Sequence, residues 1–134
     1  MEMEVFTINL PKIEEAEKIA NKIEEEKELK YKERYDKERQ ETIEFIKDHV
    51  IPQIESHVAE KGVTKQKVPV CRISLTEYAA DRDARVDVLC AFVENFNDSQ
   101  KRKAGGYELS IVAVRAFDDH VIAYWIHISK SKED

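Results

Sequence analysis

The stretch 12–61 constrains this chain more than any other: its spacing predicts one very long helix with an apolar patch near each end and an almost wholly charged middle. The first patch is Ile13, Ala16, Ile19 with Ala20, and Ile23, at helical intervals. The second is Ile43, Ile46, Val50, Ile54 and Val58, with Phe45 and Ile51 beside it. From Glu24 to Glu41 the apolar or aromatic residues are Leu29, Tyr31 and Tyr35. Acid-before-base pairs at i,i+4 fill that middle: Glu26 with Lys30, Glu28 with Lys32, Glu33 with Lys37. Each adds roughly 0.2–0.5 kcal/mol to an isolated helix, so the middle is expected to stay helical in water. Pro11 and the acids Glu14, Glu15 and Glu17 suit the helix start, and Gly62 suits its stop. Pro52 lacks an N–H and should kink the helix about one turn earlier.

Length turns this pattern into an architectural expectation. About fifty helical residues span roughly 70–75 Å at about 1.5 Å per residue. The strand expected before them covers only ~20–25 Å, so a straight helix overshoots its own domain. Two arrangements bury both patches. The middle bends and the helix folds back as a hairpin, or two copies lie antiparallel with Ile13–Ile23 of one against Ile43–Val58 of the other. Between Lys22 and Gln53 there is no glycine or asparagine, and Pro52 is the one proline, so a mid-helix turn lacks its usual residues. The paired arrangement is therefore preferred, with Ile13, Ile19, Ile23, Ile43, Ile46, Val50 and Ile54 as interface residues.

The other elements are shorter. Residues 1–10 alternate as a strand, with Phe6, Ile8 and Leu10 on one face, and Pro11 stops it. After the polar loop 63–67, residues 68–73 read as a short strand that Pro69 demotes towards an edge. Ser74 and Glu77 have capping-box spacing and introduce a second helix through Leu75, Tyr78, Val86, Leu89, Val93 and Phe96. Asn97-Asp98-Ser99 ends it, with a frayed turn reaching Lys103 and a break at Gly105-Gly106. A competing reading makes 85–93 a strand, but the i,i+3/i+4 spacing fits a helix better. Residues 107–117 and 120–128, rich in Val, Ile, Tyr and Trp, flank Asp118-Asp119 as a hairpin. The expected fold is α+β, a small mixed or antiparallel sheet in the order β-α-β-α-β-β, with both helices on one face. It is a single domain, 1–134, made of a helical arm, 12–61, and a strand-helix-hairpin body, 62–134.

Composition limits the function classes. No apolar run approaches the ~20 residues of a membrane span, and the acidic N-terminus does not read as a secretory signal. Cys71 and Cys90 have neither disulfide-framework density nor metal spacing, so a cytoplasmic protein with reduced thiols is expected. Residues 1–60 carry 17 acids against 10 bases, and residues 61–134 carry 11 against 12. An acidic arm is a poor grip for phosphates.

No constellation carries chemistry by itself. His49 and His57 diverge around a helix, and His120 and His127 have opposite parity, so no metal site is expected. Glu77 with Asp81 and Asp83 with Asp87 lie one helical turn apart, but Arg82 and Arg85 make a salt-bridged face the simpler account. No catalytic or cofactor site is expected, and the chain reads as non-enzymatic. Lys101, Arg102 and Lys103 form the one local basic cluster and a candidate anion site. The function expected is that of a protein-binding protein that homodimerises through its long helix and has a further protein partner. One alternative is a small acidic inhibitor occupying a basic nucleic-acid-binding groove of a partner, as nucleic-acid mimics do. A second is a nucleic-acid binder using Lys101–Lys103.

Overall fold

A computed structural model of the chain describes residues 6–103 and 105–131. By contact density the chain divides into two compact units, Met1–Glu33 and Arg34–Asp134, and the boundary falls inside the first helix. That helix, α1, runs Ile13–Phe45 and passes into a π-helical turn, Ile46–Val50, and then α2, Ile51–Lys61. Helix α1 is unbroken through its charged middle.

The π-helical turn is the answer to Pro52. A proline has no N–H to give the carbonyl four residues earlier, and its ring crowds that carbonyl. The chain widens one turn before the proline, where the Ile51 N–H reaches the Ile46 carbonyl, an i to i−5 bond. Gly62, at φ 70°, ends α2, and its N–H donates to the Val58 carbonyl. Along α1 none of the three acid-first pairs closes to salt-bridge distance; the i,i+4 bridge that forms is Lys37–Glu41, at 4.0 Å. Solvated side chains gain little from holding one geometry, which is why such pairs stay open.

Three strands follow: β1 Val68–Ser74, β2 Tyr107–Arg115 and β3 Val121–Lys130. Helix α3, Ala79–Lys103, lies between β1 and β2 in the chain. The sheet is antiparallel throughout, in the order β1-β3-β2. The most apolar strand takes the centre, with Ala123, Ile126 and Ile128 buried. The hairpin closes over Phe117, Asp118 and Asp119. Asp119 adopts φ 69°, a left-handed conformation that Asp tolerates better than most residues.

The described order is α-β-α-β-β, which corrects the expected β-α-β-α-β-β. Residues 6–10 form no strand, although their alternation suggested one; residues 1–5 lie outside the described residues. The sheet described has three strands, β1, β3 and β2, and residues 6–10 are not among them. The capping box is also corrected. Ser74 belongs to β1, opposite Ala123, and α3 starts later, at Ala79. The helix also runs regularly through Asn97-Asp98-Ser99 to Lys103, where an end at 97–99 with a frayed turn to Lys103 was expected.

The core of the Arg34–Asp134 unit joins Ile46, Val50 and Ile54 to Val88 and Leu89 of α3. From the sheet come Cys71, Ile73, Leu109, Ile126 and Ile128, which share one face by register. Burial pushes the Cys71 thiol up from its ordinary pKa, while Cys90 is exposed.

Candidate functional site

In the Met1–Glu33 unit, α1 starts where the Glu15 and Ala16 N–H groups both donate to the Lys12 carbonyl at 3.0 Å. Glu14 and Glu15 occupy the first turn, where the helix dipole favours negative charge. On this helix Ile13 is 70% exposed, Ile19 55% and Ile23 48%. At about 100° per residue, these three with Ala16 and Ala20 lie on one side of the helix. This puts three large aliphatic side chains in water on one helical face.

The second patch has a different fate. Ile46 is 4% exposed, Val50 0% and Ile54 8%, so these three expected interface residues are core residues of their own chain. Ile43 and Ile51 pack partly buried against that core. The widened turn before Pro52 keeps Ile46 and Val50 facing inward, where α3 and the sheet supply the apolar surface that periodicity alone could not locate. Of the seven expected interface residues, Ile13, Ile19 and Ile23 remain largely open and Ile43 partly so.

Within the Arg34–Asp134 unit, polar side chains tie the end of α1 to α3. The Arg34 guanidinium donates to both Asp81 carboxylate oxygens at 3.2 Å and sits 4.2 Å above the Tyr78 ring. The carboxylate bond raises the Arg34 pKa further, keeping it charged. The Tyr35 hydroxyl donates to Asp87 at 2.5 Å, and that bond, with partial desolvation, raises the phenol pKa. Arg85 bridges the Glu38 carboxylate and the Ser74 carbonyl. Two of the four acids with one-turn spacing, Asp81 and Asp87, are thus acceptors for α1, a structural use. Sequence spacing could not reveal these partners, which lie 47 and 52 residues away.

Two further features escape local pattern reading. The Asn97 side-chain amide pairs with both backbone groups of Leu109, donating to the carbonyl at 2.9 Å and accepting from the N–H at 2.8 Å. A residue read as a helix stop therefore caps part of the free edge of β2. An apolar groove of about 490 Å³ also opens between the helices of this unit. Ile43, Ile46 and Ile51 line one side, and Val88, Ala91 and Phe92 of α3 the other.

The remaining candidates are more ordinary. Lys101, Arg102 and Lys103 form the exposed last turn of α3, where cations favour the carbonyl end of the helix without any ligand. Among the described residues no group of three or more His, Cys, Asp or Glu side chains is placed to hold a metal ion. Nor is any described helix long and apolar enough to cross a membrane. Compared with protein-family models, with curated proteins and with solved structures, the chain matches none.

Proposed function

We propose that this protein is a non-enzymatic binding protein that self-associates through the N-terminal part of its long helix. The observation that carries the reading is the open face of Ile13, Ile19 and Ile23. An aliphatic side chain of that size gains about 1.5–3 kcal/mol when fully withdrawn from water. Two copies that each bury such a face gain enough to set against the cost of association, on the order of 4–15 kcal/mol. The two apolar patches differ in role: Ile46, Val50 and Ile54 hold the fold, and Ile13, Ile19 and Ile23 hold the assembly.

The acidic-inhibitor reading stands second. Residues 13–33 carry eight acids, but five lysines are interleaved with them and break the negative field that a nucleic-acid mimic needs. The test is the triple variant Ile13→Asp, Ile19→Asp, Ile23→Asp, compared with the parent by sedimentation velocity and circular dichroism. The expected result is a dimer in the parent and a monomer in the variant, with unchanged strand content. A variant that stays dimeric would place the interface elsewhere.

A further inference from the structure

The open isoleucine face needs an acceptor, and the groove in the Arg34–Asp134 unit has the matching chemistry. Its floor and walls are Ile43, Ile46, Ile51, Val88 and Phe92, with Ala91 exposed at its mouth. Its border carries two cations, Arg39 of α1 and Lys47 of the π-helical turn, and one carboxylate, Asp87 of α3, which already accepts from the Tyr35 hydroxyl. Among the described residues neither cation has a salt-bridge partner. The candidate occupant has a complementary border. At about 100° per residue, Glu17 and Glu24 flank the isoleucine face on the side next to Ile13 and Ala20. Seven residues separate these glutamates, about 10 Å along a helix, and eight separate Arg39 from Lys47, about 12 Å.

We propose that this groove receives the Ile13–Ile23 face of a second copy, with Glu17 and Glu24 set against Arg39 and Lys47. This rests on the self-association reading and adds its receptor. Each copy supplies one isoleucine face and one groove, and a two-fold dimer contains the contact twice. The small side chain of Ala91 leaves the mouth open, and the acidic border sets the direction in which the incoming helix lies.

The test uses full-length chains in a Cys90→Ser background, which leaves only the buried Cys71 thiol. One copy carries Ile19→Cys and the other Ala91→Cys, and the mixture is oxidised gently. The expected result is a disulfide-linked heterodimer near twice 15.6 kDa, and none when Val112→Cys replaces Ala91→Cys. A second variant, Ala91→Arg, fills the mouth and adds like charge beside Arg39 and Lys47. It should weaken dimerisation at least tenfold while leaving thermal unfolding of the diluted monomer unchanged. If the parent is dimeric but Ala91→Arg has no effect and Ile19→Cys links only to Ile19→Cys, the groove is not the receptor, although self-association stands. If the parent is monomeric at every concentration, both readings fall together.

Discussion

Ile19 and Ile46 are the same residue type on the same helical rhythm, and they end in opposite environments. Ile46 meets α3 and the sheet and is 4% exposed, whereas Ile19, in the other unit, is 55% exposed. The lesson is that amphipathic spacing states which face of a helix wants cover and not what covers it. In the Arg34–Asp134 unit the cover is supplied within the chain. In the Met1–Glu33 unit Ile13, Ile19 and Ile23 stay exposed.

The sharpest way to break that comparison is to truncate one isoleucine in each unit. Ile46→Ala should cost about 2–5 kcal/mol, the range for emptying a packed aliphatic site. Ile19→Ala should shift the same transition by less than about 0.5 kcal/mol, as surface changes do. Urea unfolding followed by Trp125, the one tryptophan, measures both, at dilutions where association does not contribute. Equal costs would mean that Ile19 is buried in the isolated chain, and the contrast between the units would fail.

A smaller effect is expected at Asn97. Removing its amide leaves the Leu109 N–H and carbonyl without their partners, which should cost about 1–3 kcal/mol. Hydrogen exchange at the Leu109 amide should quicken in Asn97→Ala while the β2–β3 ladder stays protected. Unchanged exchange there would remove Asn97 from its place as an edge cap.

The smallest effect concerns pH. The Tyr35 phenol donates to Asp87 and has a pKa above the ordinary value of about 10. A raised folded pKa favours the protonated form. Its contribution is therefore complete below the unfolded pKa and is lost as pH rises through the folded one. Tyr35→Phe should remove a late phenolate component from the ultraviolet titration and flatten the alkaline loss of stability. A titration identical to the parent's would show that the Tyr35–Asp87 bond does not form in solution.

Much of the fold is legible in the residues themselves, because the relevant signals are local. The long helix follows from spacing and the lack of breakers, the disturbance before Pro52 from the missing N–H, and the hairpin from β-branched and aromatic runs around Asp118-Asp119. What escaped was non-local. The 6–10 alternation gave no information about whether a sheet edge would receive it. Ser74 and Glu77 matched a capping box, but pairing with β3 claimed Ser74 first. The candidate site was half legible: Ile13, Ile19 and Ile23 are exposed, while Ile46, Val50 and Ile54 were absorbed by a core whose other walls, from Cys71 to Ile128, come later in the chain. The groove beside Ala91 and the partners of Arg34 and Tyr35 exist only once α1 and α3 are packed together.

The central claim is that the face of Ile13, Ile19 and Ile23 holds two copies together, and solution mass tests it most directly. Light scattering behind size exclusion, over a hundredfold range of loading concentration, should give about twice 15.6 kDa at the upper end. Replacing the three isoleucines with aspartate should return 15.6 kDa throughout. A parent chain that elutes at 15.6 kDa at every concentration would contradict the account.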